Sequence, residues 1–225
     1  VKNIAVSAGP KSLVSDEEGT IWVACYLSHK IDPKTGADLG GIVNKIVNTT
    51  VVDSINVGSN PAAITCDTSN TIWVANSGSN TVSRILKSKK VVDFEVGARP
   101  VALVNDSYGN VIVTNYDGNT VTIIETSSKA IKEGNNITTI PVGKGPNAID
   151  VNMDDDVYVV CGLENTIHKI SGKQVVSVVE VCDSPVAFGD FSGCANYNAQ
   201  NVMAKADKGT TEEKIQTALD KAKTI

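Results

Sequence analysis

Short apolar segments, each bounded by polar and turn-forming residues, recur along this chain with a period of roughly 40 residues. Four of them start eleven positions after a proline, at Ile21, Ile72, Val111 and Val157. They are rich in valine and isoleucine, which suit a pleated, half-buried strand. The asparagine, aspartate and glycine residues between them suit tight turns. The pattern predicts an all-β chain of short strands.

A Val-Gly-x-x-Pro motif precedes the apolar segments and defines the same repeat. It spans residues 57–61, 96–100 and 142–146, with weaker copies at 6–10 and 181–185. In three repeats an Asn-Thr-Val or Asn-Thr-Ile element starts eight positions after the beginning of the apolar segment, at Asn80, Asn119 and Asn165. The first repeat has His29-Lys30-Ile31 there. Internal repeats of this length with several short strands are typical of a β-propeller, which is the fold class that we predict.

Each repeat contains four predicted strands, A to D, counted from the axis of the propeller outwards. Strand A follows the proline, strand B is the apolar segment, strand C starts at the Asn-Thr-Val element, and strand D ends at the valine of the next motif. With strand C of the first repeat placed at Ile31, all variation in repeat length falls between the start of C and the end of D. We therefore expect insertions there, of 12 residues in the first repeat and 7 in the third.

The two ends of the repeat region match parts of one further repeat. Residues 2–6 match a D strand without strands A to C before it, and residues 185–190 match an A strand without a good copy of the motif after it. Joining them predicts a five-bladed propeller over residues 1–200, in which the N- and C-terminal strands share the closing blade. A four-bladed ring with a capping tail is the alternative, because residues 193–198 suit strand B poorly.

The tail, residues 201–225, has a different pattern. Residues 210–213 fit a capping box and apolar residues follow at helical spacing, which predicts an amphipathic helix over about residues 211–225. Ile215, Leu219 and Ala222 lie on its apolar stripe. The stripe either packs against the propeller or docks on another chain, so formation of a homo-oligomer or a larger assembly through this helix stays open.

Composition argues against some classes of partner. The net charge is −5 and no dense Lys/Arg cluster occurs, which argues against a nucleic-acid surface. No apolar segment reaches the roughly 20 residues needed to cross a bilayer, so we expect no membrane insertion. The five cysteines lack metal-binding spacing, and we expect free thiols. The chain starts at Val1 rather than at Met, so secretion stays open.

Segments 72–82 and 111–121, together with the Val-Gly-x-x-Pro motifs, resemble the repeats of YVTN-type β-propeller proteins. The resemblance covers about residues 1–190. It implies a propeller of the kind found in bacterial and archaeal surface or secreted proteins, related to NHL-repeat and streptogramin-lyase propellers. We expect an extracellular, cell-surface or virion location, with the cytoplasm as the alternative. The resemblance implies little about activity, because propellers carry many functions.

The titratable residues do not form a recognisable catalytic constellation. Streptogramin-lyase relatives use a histidine near a metal on the propeller face, but here His29 lies in a predicted loop and His168 inside a predicted strand. The acidic run 154–156 occupies a turn between strands A and B and lacks the glycine and distal glutamate of a calcium loop. No nucleophile elbow, phosphate-binding loop or dinucleotide motif occurs. We therefore predict no catalytic residue, no metal site and no cofactor.

Strand direction alternates within a blade, so the D-to-A and B-to-C loops share one face. The residues expected on this face are Tyr26, His29, Asn76, Arg99, Asn115, Tyr116, Asp117, Lys144, Glu164 and Asp183. Tyrosine suits contacts with proteins and sugars, whereas the two asparagines also suit turn formation. Our main hypothesis is a non-catalytic recognition or scaffold module that binds a protein or a glycan. The alternatives are a structural component of an assembly such as a phage tail or surface layer, and a metal-dependent lyase or hydrolase with His29 near the axis.

Overall fold

The computed structural model describes residues 3–28, 34, 40–127, 129–130, 136–181 and 185. This part of the chain forms sixteen strands in four antiparallel sheets of four strands each. Within every sheet the strands are adjacent in the order in which they occur along the chain. The predicted all-β class and the four strands per repeat are therefore confirmed.

The first sheet consists of β1 (Pro10–Ser15), β2 (Ile21–Cys25), β3 (Gly41–Val47) and β4 (Thr50–Val57). The second consists of β5 (Pro61–Cys66), β6 (Ile72–Asn76), β7 (Thr81–Ile85) and β8 (Val91–Glu95). The third consists of β9 (Pro100–Asn105), β10 (Val111–Asn115), β11 (Thr120–Ile124) and β12 (Ile137–Pro141). The fourth consists of β13 (Pro146–Val151), β14 (Val157–Cys161), β15 (Thr166–Ser171) and β16 (Gln174–Glu180).

The second strand of each sheet begins at the residue that the repeat predicts. It also extends one residue further than its apolar core, to Cys25, Asn76, Asn115 and Cys161 in the four sheets. These four residues are 0% exposed, although two of them are asparagines. A buried amide needs hydrogen-bond partners within the protein, so the asparagines that end this strand are expected to have a structural role.

The prediction for strand C of the first repeat was wrong. The strand that pairs with β2 is β3, which begins at Gly41 rather than at Ile31. Counting from the proline misplaced the strand, because residues 29–40 contain few apolar side chains whereas β3 carries Ile42, Val43 and Ile46. The insertion of the first repeat therefore lies in the B-to-C connection. The third repeat has its insertion between β11 and β12, as predicted.

The apolar core lies between successive sheets. One cluster joins the first and second sheets and includes Val43, Ile64 and Val74. A second cluster joins the second and third sheets around Trp73, and a third joins the third and fourth sheets around Val159. Each sheet thus buries both faces only when it has a neighbour on both sides.

The glycine of the Val-Gly-x-x-Pro motif allows the D-to-A loop to lie close to the end of strand B. A Cβ atom at Gly97 would lie 2.7 Å from Asn115 Cγ, and one at Gly143 would lie 3.0 Å from Cys161 Cβ. Neither glycine has a positive φ, so the requirement is for space and not for an unusual backbone conformation. The motif therefore packs against the buried end of strand B.

The turns between strands A and B share one design. Asn152 Oδ1 accepts hydrogen bonds from the backbone N–H groups of Asp154 and Asp156, at 3.0 and 2.9 Å. Asp16, Asp67 and Asp106 bond the equivalent groups in the other sheets. The acidic run 154–156 is therefore part of a repeated turn in which a short polar side chain bonds its own loop.

The number of sheets in the described residues is four, and the predicted fifth is not among them. Residues 3–9 form no ladder strand in the described part of the chain, and the strand predicted to pair with them falls on residues outside it. The predicted helix over 211–225, with Ile215, Leu219 and Ala222, also lies outside them. In the part of the chain that the structure describes, no helix is long and apolar enough to cross a membrane.

Candidate functional site

The D-to-A and B-to-C loops meet along one edge of every sheet, which we call the loop face. A backbone hydrogen bond joins the two loops in each repeat: the N–H of Tyr26 donates to Gly9 at 2.7 Å, and the N–H of Tyr116 donates to Arg99 at 2.9 Å. Ser77 and Gly162 make the same bond in the second and fourth sheets. The predicted sharing of one face by these loops follows directly from the observed strand order.

Tyr116, Arg99 and Asp117 form a small cluster on the loop face. The guanidinium carbon of Arg99 lies 4.7 Å from the centre of the Tyr116 ring, and its Nη1 lies 3.4 Å from Asp117 Oδ1. Both charged side chains are about half exposed, at 51% and 55%. At such exposure the ion pair contributes little stability, so its main effect is to orient the guanidinium over the ring.

Tyr26 occupies the position in the first sheet that Tyr116 occupies in the third, one residue after the end of strand B. The ammonium group of Lys11 lies 4.3 Å from the centre of the Tyr26 ring. Two tyrosines at equivalent positions thus each carry a cation against the ring, an arrangement in which ring and charge attract each other. The backbone of Tyr26 also accepts a 3.1 Å hydrogen bond from the Asn60 amide.

Two exposed leucines lie on the same face. Leu27 is 61% exposed and Leu163 is 66% exposed, and both follow strand B at the same position. Each lies over the glycine of its D-to-A loop, since a Cβ atom at Gly9 or Gly145 would approach the leucine Cγ to 2.6 Å. These side chains are held by contact with the backbone beneath them while most of their surface faces outwards.

Asn76 and Asn115 lie beneath the loop face and are fully buried. The Asn115 amide donates to Thr120 Oγ1 and Thr122 Oγ1 at 3.0 and 2.9 Å. The Asn76 amide donates to the equivalent hydroxyls of the second sheet. With no exposed surface, these asparagines would affect a ligand only by supporting the loops above them.

Lys144 and Glu164 are exposed on the loop face of the fourth sheet, where Glu164 Oε2 accepts a 3.0 Å hydrogen bond from the Lys144 N–H. His168 lies below them and is 9% exposed, with Nε2 3.1 Å from Thr166 Oγ1. Burial lowers the pKa of His168 from 6.5, and the charge of Glu164 opposes the shift only in part. The histidine is therefore a neutral interior group near pH 7.

Two residues predicted for this face, His29 and Asp183, lie outside the described residues. The structure also places three residues on this face that were not predicted there, namely Lys11, Leu27 and Leu163. Leu27 and Leu163 could have been found from their shared position two residues after strand B. Lys11 had no such signal, because its contact with Tyr26 joins strand A to the B-to-C loop.

The described cysteines are free and poorly reactive. Burial raises the pKa of the Cys161 thiol to about 11, and burial together with Asp67 raises that of Cys66 to about 11. The thiolate is the reactive form of cysteine, so neither side chain is suited to act as a nucleophile. Among the described residues, no three His, Cys, Asp or Glu side chains are grouped so that they could hold a metal ion.

A cleft of about 220 Å³ separates the first and second sheets at the edge opposite the loop face. Its charged groups are already engaged in part, since Lys89 pairs with Asp53 at 2.6 Å and Lys45 lies 5.0 Å from the Trp22 ring. Small-molecule sites are usually about 300–1,000 Å³. The cleft is therefore a weaker candidate than the loop face.

No family model and no curated protein matches this chain. Solved structures do. Virginiamycin B lyase from Staphylococcus aureus is 14% identical with a TM-score of 0.64, over 77% of this chain and 56% of that one. A streptogramin B lyase is 19% identical with a TM-score of 0.62, over 78% and 55%. A protein from Lactobacillus plantarum is 12% identical with a TM-score of 0.61, over 82% and 60%.

This chain therefore spans little more than half the length of the structures it resembles. Identities of this size carry information about fold and not about activity. Together with the four repeated antiparallel sheets, the likeness shows that the chain has a propeller-type fold.

Proposed function

We propose that this chain is a non-catalytic recognition module that binds a protein partner through its loop face, with a glycan as the alternative ligand. The scaffold would be a YVTN-type propeller of five blades on a microbial or virion surface. The observation that carries the proposal is the presence on one face of two tyrosine–cation pairs and two exposed leucines.

The chemistry of this face supports a protein partner. Tyrosine and arginine, with tryptophan, are enriched among the residues that dominate binding energy at protein interfaces. Tyr116 and Arg99 lie in contact, and Leu27 and Leu163 supply exposed apolar area on the same edge. The loop face also carries charges of both signs, because Lys144 and Glu164 are exposed on it in addition to Arg99 and Asp117.

The backbone of Arg99 supports a role for its side chain. Arg99 has a φ of +55°, in the left-handed region, where a side chain is disfavoured by roughly 1–2 kcal/mol relative to glycine. The equivalent positions of the first and fourth repeats carry Gly9 and Gly145. An arginine at this position is therefore not explained by backbone conformation. Its guanidinium contacts the Tyr116 ring and Asp117 while about half of the side chain stays exposed, at 51%.

The test compares single variants of the full chain. Binding partners would be sought on arrays of surface-protein ectodomains and glycans, and their affinities measured for Tyr116→Ala and Arg99→Gly. Each change should weaken binding about 10- to 30-fold if it removes an interface hot spot. Tyr108→Ala is the matched control, because Tyr108 is 79% exposed in the same sheet but on an A-to-B turn at the opposite edge.

Equal loss of affinity in the Tyr108→Ala variant would argue against the loop face as the binding surface. Retention of full affinity in both loop-face variants would do the same. Arg99→Gly should also leave the protein at least as stable as the original chain, since it removes the unfavourable backbone conformation. Loss of binding in that variant would therefore not come from unfolding.

The two alternative hypotheses have separate tests. A metal-dependent lyase or hydrolase would depend on His29, and turnover by the metal-loaded full chain should then disappear in His29→Ala. A structural component of an assembly would depend on the C-terminal helix. In that case Leu219→Asp should abolish the assembly and leave loop-face binding unchanged.

A further inference from the structure

Strand C carries one buried polar residue at the same position in all four sheets. These residues lie opposite the third residue of strand B and are at most 9% exposed: Asn44, Ser83, Thr122 and His168. The Ser7 N–H donates to Asn44 Oδ1 at 2.7 Å, and the Gly58 N–H donates to Ser83 Oγ at 3.3 Å. The position therefore supports the D-to-A loop from beneath.

His168 is the one member of this set that can gain a charge near neutral pH. An exposed imidazole titrates near pH 6.5, whereas the amide and hydroxyl groups of the other three residues do not titrate in this range. The fourth sheet thus has a proton-binding group beneath its D-to-A loop, at a position where the other three sheets have groups of fixed charge state.

The neutral form of His168 fits its surroundings. With a proton on Nε2, the ring donates to Thr166 Oγ1 at 3.1 Å. Nδ1 is buried and has no hydrogen-bond partner among the described residues. Protonation of Nδ1 would therefore create a buried donor without an acceptor as well as a buried charge. The charged ring needs either a counterion or contact with water.

Glu164 connects His168 to the loop face. Its Oε2 accepts the 3.0 Å hydrogen bond from the Lys144 N–H, while the Lys144 side chain is exposed. A Cβ atom at Gly143 would overlap this oxygen and would lie 2.7 Å from His168 Nε2, so the carboxylate and the ring adjoin the same glycine. The negative charge of Glu164 also opposes the effect of burial on the pKa of His168. The carboxylate that holds the loop is therefore the counterion nearest in kind for a protonated ring.

The other titratable groups of this region have different partners or face outwards. Arg99 and Asp117, on the loop face of the third sheet, pair with each other. Glu180, at the end of β16, is exposed. Burial raises the pKa of the Cys161 thiol to about 11, so this group stays neutral near pH 7 and below. A protonated ring would therefore act mainly on Glu164.

We propose that His168 makes the loop face of the fourth sheet sensitive to pH. The protonated ring draws Glu164 away from the Lys144 N–H and so releases the D-to-A loop, to which the Leu163 N–H donates at the Lys144 carbonyl, at 3.1 Å. Because the closed arrangement favours the neutral ring, acid favours the released one. The inference rests on the proposed binding role of the loop face, and it predicts that a partner is released as the pH falls below 6.5.

NMR spectroscopy of the ¹⁵N-labelled full chain tests the local step without a partner. Between about pH 7.5 and about pH 5, the amide signal of Lys144 should shift with the same midpoint as the ring signals of His168. His168→Asn, which introduces the residue that the first sheet carries, should abolish this shift. His29→Asn is the matched control, since it removes the other histidine of the chain and should leave the shift unchanged.

Glu164→Gln tests the connection between the ring and the loop. The glutamine oxygen can still accept from the Lys144 N–H but no longer attracts a positive ring, so the shift of the Lys144 signal should become smaller and move to lower pH. A Lys144 signal that stays constant while His168 titrates, or that shifts equally in His168→Asn, would overturn the proposal. A His168 ring that stays neutral down to about pH 5 would do the same.

Affinity for the loop-face partner gives the second readout. It should fall at least about threefold between about pH 7.5 and about pH 5.5, the loss expected when a third of the molecules keep the competent arrangement. His168→Asn should bind as the original chain does at the higher pH and show no such loss. An affinity independent of pH would overturn the regulatory role. If Tyr116→Ala binds as tightly as the original chain, the proposed function fails instead, and the Lys144 titration still decides the local step.

Discussion

The change of Gly97 to alanine tests the packing of the repeat most directly. The alanine Cβ would lie 2.7 Å from both Cγ and Nδ2 of Asn115, and 2.8 Å from its Cβ. Ordinary contacts of a Cβ atom begin at 3.4 Å. The D-to-A loop must therefore move away from the end of strand B by several tenths of an ångström, or the Asn115 side chain must move away from Thr120 and Thr122.

Both responses lower the free energy of unfolding. Overpacking of a well-packed interior destabilises by about 1–3 kcal/mol. Movement of the buried Asn115 amide away from its hydroxyl partners adds about 1–3 kcal/mol for polar atoms left without partners. We expect Gly97→Ala to lower the stability by about 1–3 kcal/mol if one response occurs and by about 2–6 kcal/mol if both occur, against the roughly 5–15 kcal/mol typical of a domain.

The first repeat offers a natural control for this change. It carries Ser7 where the third repeat carries Gly97, and Cys25 where the third carries Asn115. A smaller residue at the end of strand B thus accompanies a Cβ atom in the motif. The double variant Gly97→Ala with Asn115→Cys should therefore lose less unfolding free energy than the two single variants lose together, by about 1–2 kcal/mol.

Urea unfolding followed by the fluorescence of Trp22 and Trp73 measures all four proteins of this cycle. A Gly97→Ala variant within about 0.5 kcal/mol of the original chain would refute the close-approach argument. A clear loss of stability that Asn115→Cys does not relieve would refute the contact with Asn115 as its cause.

Three further changes have defined outcomes. Trp73→Phe removes the 2.8 Å hydrogen bond from Nε1 to Asp67 Oδ2 in a fully buried site, and chemical denaturation should show a loss of about 2–4 kcal/mol. The stability of His168→Asn relative to the original chain should rise as the pH falls below 6.5, because burial lowers the pKa of His168 and protonation then favours the unfolded state of the original chain. Thermal melting at several pH values would reveal this, and parallel curves for the two proteins would contradict it. The Cys66 thiol, whose pKa burial and the nearby Asp67 raise to about 11, should be alkylated about tenfold more slowly than a cysteine in a peptide near pH 8, because its smaller thiolate fraction outweighs its higher nucleophilicity. Timed alkylation followed by peptide mass spectrometry measures that rate, and labelling at the peptide rate would argue against burial of the thiol.

The repeat, the all-β class and the starts of four strands could be predicted from the sequence alone. The signal is local, because a strand such as Ile72–Asn76 is apolar over its first four residues and is bounded by turn residues. The Val-Gly-x-x-Pro motif marks the same point in each repeat. Local patterns of this kind do not depend on which sheet a strand contacts. They can therefore be recognised without knowledge of the tertiary structure.

Other features depend on partners that are distant in sequence. Strand C of the first sheet starts at Gly41 because apolar residues there can pair with β2, whereas a fixed count from the proline placed it at Ile31. Asn76 and Asn115 resemble exposed turn residues in sequence, yet they are completely buried against Gly58 and Gly97 of the D-to-A loops. Only the packing of one sheet on another decides which side of a strand is covered.

The contrast between Leu13 and Leu103 makes the division clear. Both are leucines at the same position of strand A, so the repeat pattern does not distinguish them. One is 67% exposed and the other 8%, because the third sheet has a preceding sheet in contact with that face and the described first sheet does not. Hydrophobic periodicity determined the strands and their order, whereas burial, and with it the surface available for binding, was decided by the neighbours that the tertiary structure supplies.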